Sequence, residues 1–148
     1  MSELTFVYAG ITVGIVWLFV TLWEAWVGKT SLDVIGKNPE LNGELKGLTI
    51  LGIALVESAA IYALLTGILI TFTDTVTPLK AMAAMFAVGL PGILAGIGEA
   101  RIVVSAIKAI QRNPSAASDI RGNMIIFIAL VESAAIYGLV TALLILFK

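Results

Sequence analysis

Four apolar runs, each long enough to cross a lipid bilayer, dominate this sequence: residues 4–27, 48–72, 79–104 and 124–147. Spanning the hydrocarbon core as a helix takes about 20 mostly apolar residues. A soluble domain of 148 residues cannot hide so much apolar surface, because its surface-to-volume ratio is too high. Mean hydropathy is +1.05 and charged residues make up 13%, about half the usual share for a soluble protein. The runs are too long and too uniform for barrel strands, which alternate over about ten residues. The reading is an all-α membrane protein with four transmembrane helices.

The second constraint is an internal repeat. A shift of 75 residues lays one half of the chain on the other without a gap. Ala54-Leu-Val-Glu-Ser-Ala-Ala-Ile-Tyr62 recurs unchanged as Ala129-Leu-Val-Glu-Ser-Ala-Ala-Ile-Tyr137. At the same offset Glu24-Ala25 matches Glu99-Ala100, Asn38-Pro39 matches Asn113-Pro114, Gly47 matches Gly122, and Thr66 matches Thr141. The unit is a helical hairpin with a polar Asn-Pro loop, proline there favouring a turn over a continued helix. Residues 1–73 form the first hairpin, with helices at about 4–35 and 46–72. Residues 74–148 form the second, with helices at about 79–110 and 123–147. The polar stretch 71–78 links them outside the membrane.

The chain has no cysteine and no histidine, which excludes disulfides, thiolate metal sites and histidine bases. With a net charge of −1 and no basic run, nothing points to nucleic acid. The start lacks a basic segment and a small-residue cleavage site, so no removed signal peptide is expected. Lys29, Lys37, Lys46, Arg101, Lys108, Arg112 and Arg121 gather at the two Asn-Pro loops and the adjoining helix ends, against Lys80 and Lys148 on the other side. The positive-inside rule then puts the loops near 36–46 and 111–123 in the cytoplasm and both termini outside.

Inside the apolar runs stand four glutamates: Glu24, Glu57, Glu99 and Glu132. A charged side chain at the bilayer centre costs about 2.5–3.5 kcal/mol, so four unpaired charges would cost about 10–14 kcal/mol. Each must be protonated, paired or bound to a cation. The midpoints of Glu24–Glu57 and of Glu99–Glu132 both fall in an Asn-Pro loop, so each hairpin brings its two acids to one depth. That depth is about 24 Å from the loop centre at 1.5 Å per residue. Two adjacent carboxylates in a low dielectric cannot both stay charged. They share a proton or ligate a cation, and Ser58 with Tyr62 in one repeat, or Ser133 with Tyr137 in the other, offers further oxygens. The bland alternative is a polar clamp of protonated acids between helices. Gly89, Gly92 and Gly96 form a stripe that Glu99 continues, suited to close helix approach. Arg101 lies about 200° around the helix from Glu99 and is not its direct partner.

These residues resemble a known family. Gly-x-Gly-Glu at Gly96-Ile-Gly98-Glu99, the Asn-Pro loop, and Ile-Ala-Leu-Val-Glu-Ser-x-x-Ile-Tyr-Gly-Leu-Val ending at Val140 are similar to the proteolipid (c or K) of rotary ATP synthases and ATPases, in its duplicated double-hairpin form. The resemblance implies two tandem hairpins assembling into a homo-oligomeric ring in the membrane, in a prokaryotic cell membrane, that carries sodium ions or protons. It implies no catalytic site in this chain and no cofactor beyond the transported Na+ or H+. The implied partners are a stator protein bringing an essential arginine, central-stalk proteins at the cytoplasmic loops, and lipid. Carried over by position, Glu57 and Glu132 match the essential ion-binding glutamate, and Glu24 and Glu99 match the first-helix ligand. Ser58 and Ser133 match the hydroxyl that follows the glutamate, Tyr62 and Tyr137 the tyrosine that closes it, and Leu55 and Leu130 the position giving a backbone carbonyl. The Glu-Ser and Tyr pattern implies sodium, with protons competing when sodium is scarce. Ala59 and Ala134 depart from it where a threonine holds water, and Val20 and Ala95 where a proline precedes the first-helix ligand. Trp17, Thr21 and Trp23 replace Gly92, Gly96 and Gly98, so the first helix is expected to pack less tightly than the third. Both repeats keep their acids, implying two ions per chain and a high ion-to-ATP ratio suited to synthesis. The alternative is a small four-helix secondary transporter coupled to sodium or protons, which would need neither matched acid pairs nor Asn-Pro loops.

Overall fold

The computed structural model describes residues 2–148. Five helices account for the four spans: α1 (Glu3–Lys37), α2 (Asn42–Val56), α3 (Ser58–Phe72), α4 (Pro78–Arg112) and α5 (Ala117–Phe147). Helices α2 and α3 share one span and meet at Glu57. Each span is 34 or 35 residues from loop to end, about 50 Å at the helical rise, so the ends project beyond a hydrocarbon core of about 30 Å.

The Asn-Pro pairs end the long helices as their chemistry requires. Proline disfavours the α conformation in the residue before it, and Asn38 and Asn113 leave the helix at φ −135° and −142°. Each still donates its N–H to the carbonyl four residues back, Val34 or Ala109, at 2.9 Å. One 3₁₀ turn follows, Pro39–Leu41 or Pro114–Ala116, and the return helix starts at once. The return helices therefore begin at Asn42 and Ala117, earlier than the 46 and 123 read from hydropathy. Their first turns are polar and helical together. At the other end, the 73–77 connection leads into Pro78 at the first turn of α4, where Thr77 accepts the N–H of Lys80 at 3.3 Å.

Helices α1 and α4 run against each other along their length, α3 packs on α1 and α4, and α5 packs on α4. Many of the buried residues are small or β-branched, among them Val16, Val20, Val27, Ala59, Ala60, Ala63, Ala100 and Val103, with Leu45, Leu48 and Met124 filling the loop end of the core. Large residues such as Leu18, Leu22, Leu94 and Leu130 point outward, which only lipid or a neighbouring copy tolerates in such number. Buried threonines hide their hydroxyls by donating to the carbonyl four residues back, as Thr12 does to Tyr8 and Thr66 to Tyr62.

Gly52, Gly67, Gly96 and Gly138 carry the closest approaches, and the last two bear on the pairing of the hairpins. The ring of Trp23 occupies the space beside Gly96, where an added Cβ would fall 2.7 Å from the indole. The bulky residue of α1 is thus matched by a glycine of α4, and the looser first helix expected from its tryptophans is a knob seated in a hole. Pro91 has no N–H to give the carbonyl of Ala87, and Gly138 of α5 lies against that oxygen so closely that a Cβ would fall 2.5 Å from it.

Candidate ion-binding site

The carboxylates gather in twos. Glu99 and Glu132 lie side by side between α4 and α5, and Glu24 faces Glu57 between α1 and the α2–α3 span. Among the described residues no three acids, histidines or cysteines come together.

The first of these pairs is the more enclosed. Glu99 is wholly buried, and neither of its carboxylate oxygens has a hydrogen-bond partner. Glu132 Oε1 is also buried and unpartnered, while Oε2 accepts the hydroxyl of Ser58 at 2.9 Å. Tyr62, half-buried, faces the same two acids. Four oxygen-bearing side chains from three helices therefore converge on one buried point, with three carboxylate oxygens left free. Polar atoms buried without partners are costly. A set made only of oxygens suits a proton or a hard cation.

Ser58 and Tyr62 do not complete the site of their own repeat, as the sequence suggested. They belong to the acids of the other hairpin. The reason is helical phase: adjacent residues lie about 100° apart around the axis, so Glu57 and Ser58 face different neighbours. Glu57 turns toward α1 and Glu24, and Ser58 toward α5. The partners from the second repeat behave accordingly. Ser133 follows Glu132 on α5 and donates to its own Leu130 carbonyl at 2.8 Å, while Tyr137 stands 70% exposed on the outer surface. Leu130 projects its side chain outward and Leu55 packs partly against the core. Glu24 and Glu57 are half-buried at the opposite edge of the molecule from α5's free face.

Hydropathy and repeats also missed one contact. Arg121 of α5 donates to Glu44 of α2 at 2.9 Å, tying the hairpins together beside the loops. The residues are 77 apart, close to the repeat length, which was the available signal.

Comparison with known proteins finds the same duplication. The family model for the C subunit of ATP synthase matches the chain twice, at residues 7–70 and 82–145. The ATP synthase c subunit of Synechococcus sp. (strain WH7803) is 40% identical over 75 residues, which is 51% of this chain and 92% of the relative. That of Nostoc sp. (strain PCC 7120 / SAG 25.82 / UTEX 2576) is 42% identical over 72 residues, 49% of this chain and 89% of the relative. The second ATP synthase c subunit of Cereibacter sphaeroides (strain ATCC 17029 / ATH 2.4.9) is 40% identical over 74 residues, 50% of this chain and 89% of the relative. Each relative, taken nearly whole, matches about half of this chain.

Proposed function

Because the chain belongs to the ATP synthase c-subunit family over both of its halves, as a non-catalytic, ring-forming membrane protein, we propose that it carries sodium ions on two carboxylate sites per chain. The observation that carries this reading is the buried, unpartnered carboxylate of Glu99 beside Glu132, with Ser58 already turned onto Glu132. A sodium ion bound among Glu99, Glu132, Ser58 and Tyr62, with one proton kept between the two carboxyls, neutralises the cluster so that it can face lipid. Protons occupy the same carboxylates when sodium is scarce.

The second site is built on Glu24 and Glu57. Its oxygens come from Ser133 and Tyr137 of the next copy in the ring, by the same pairing that brings Ser58 and Tyr62 to Glu132 within the chain. The carbonyls of Leu55 and Leu130 stand by the two sites as further oxygen donors. Ion exchange follows from charge. In lipid each carboxylate stays neutralised. Against a stator protein that presents an arginine, the bare carboxylate is compensated, and the ion leaves. The Lys/Arg-rich loop ends lie in the cytoplasm, where central-stalk proteins dock, with both termini on the other side.

The test is labelling of the purified ring with dicyclohexylcarbodiimide, which reacts with protonated carboxyls. Sodium is expected to slow labelling of Glu132 and Glu57 in a saturable way. Labelling indifferent to sodium at every concentration makes the carried ion a proton.

A further inference from the structure

The loop ends of α2 and α5 carry a charge pattern that the repeat holds twice and a single chain uses once. Within the chain, Arg121 Nη2 donates to Glu44 Oε2 at 2.9 Å and to the Glu44 backbone carbonyl at 3.3 Å. This joins the start of α5 in the second hairpin to the start of α2 in the first. Shifting both partners by the 75-residue repeat turns Arg121 into Lys46 and Glu44 into Asp119. Both signs are kept. Lys46 and Asp119 are exposed, and among the described residues neither has an ion-pair partner.

The same permutation appears deep in the membrane. Ser58 of the first hairpin donates to Glu132 of the second. Shifted by one repeat, the pair becomes Ser133 with Glu57. In one chain those two are apart, with Ser133 turned back on Leu130 and the neighbouring Tyr137 exposed. At two depths, then, the second hairpin offers on its outer edge what the first hairpin offers on its inner one, and the first hairpin's outer edge holds the complements. In a ring of tandem hairpins, the contact after first-to-second within a chain is second-to-first between chains.

We propose that neighbouring copies of this chain are clasped at their loop ends by an ion pair between Asp119 of one copy and Lys46 of the next, repeating across the boundary the Arg121–Glu44 tie inside each chain. This rests on the ring assembly and goes beyond the ion sites. The replacement of Arg by Lys and Glu by Asp is not neutral. One nitrogen of arginine's fixed planar guanidinium, Nη2, reaches both the carboxylate and the carbonyl of Glu44, whereas lysine is a point charge on a flexible stem. At the loop ends the boundary between chains is therefore joined by a single, salt-screened pair. Its main effect is to select register and direction, with little added strength.

The chain has no cysteine, so introduced ones report cleanly. Ion-pair partners sit farther apart at Cβ than a disulfide spans, and a short bismaleimide bridges them. In membranes containing the assembled ring, the K46C/D119C variant is expected to give a ladder of dimers, trimers and larger species on a denaturing gel. Either single variant is expected to give none. The E44C/R121C variant, treated alike, is expected to cross-link within monomers without a ladder. A K46C/D119C variant that still purifies as a ring yet yields only monomers overturns the clasp and leaves the ring standing. A cysteine-free parent that forms no ring overturns both. Charge reversal gives an independent reading: K46D and D119K singly lower the temperature at which the ring dissociates at low salt, and the double variant restores it. Additive losses without restoration count against the pair.

Discussion

Residues 54–62 and 129–137 are the same nine amino acids in the same order, and they do different things. In the first copy the helix is interrupted at Glu57, whose carbonyl accepts from both Ala60 at 2.9 Å and Ile61 at 3.2 Å. Its Ser58 leaves its own repeat to reach Glu132, and its Tyr62 is half-buried. In the second copy α5 runs unbroken through Glu132, Ser133 satisfies itself on Leu130, and Tyr137 is exposed. Local propensity is identical in the two, so the difference comes from what packs against them. The first copy is covered by α1, α4 and α5, and the second by α4 and α3, with its far face left open. A repeat in the sequence gives equal parts, and position in the array assigns them unequal work.

The sharpest way to break this comparison is to remove one acid at a time. Glu132→Gln is expected to abolish ion-driven ATP synthesis in reconstituted vesicles while the ring still assembles, because no carboxylate remains to alternate between neutral and charged. Glu57→Gln is expected to do the same if both copies carry ions. Full synthesis in the Glu57 variant alone would assign all transport to the second copy. Next in size is Trp23→Ala, which empties the space beside Gly96 and is expected to cost about 3–5 kcal/mol, read as thermal stability in detergent. Trp17→Ala, at the half-buried position, should cost clearly less. Gly138→Ala forces a Cβ against the Ala87 carbonyl and Pro91 and is expected to cost about 1–3 kcal/mol in the same measurement. At Gly122, with nothing within 4 Å, alanine should instead stabilise α5 by up to about 1 kcal/mol. The smallest effect is Arg121→Ala. Both partners of its ion pair are more than a third exposed, so the loss should stay below about 1 kcal/mol and fade with added salt.

The fold was legible because lipid imposes simple demands. Length and hydropathy mark a span, and Asn-Pro marks its end, so the four helices and their pairing into hairpins could be read directly. The starts of α2 and α5 were less so. Their first turns, with Glu44 and Lys46 or Asp119 and Arg121, lie in water and carry no hydropathy signal. The acids were legible as a set, since charge in oil demands a purpose. Which acids Ser58 and Tyr62 face was not legible, because a repeat does not say which hairpin a side chain faces; helical phase and the neighbouring helix decide that. The seating of Trp23 beside Gly96 was invisible for a related reason. In the repeat Gly96 matches Thr21, so the two contact residues are not equivalent positions, and only packing of one half on the other brings them together.

The connection at 73–77 is five residues long, and it makes the approach of Ser58 to Glu132 an event within one molecule. Tethered groups meet at an effective concentration set by the tether and not by how much protein is present. A pocket lined by two separate molecules obeys mass action and vanishes on dilution. Newly made chains, still scattered in the bilayer, therefore already hold the Ser58–Glu132 cluster assembled before any neighbour arrives.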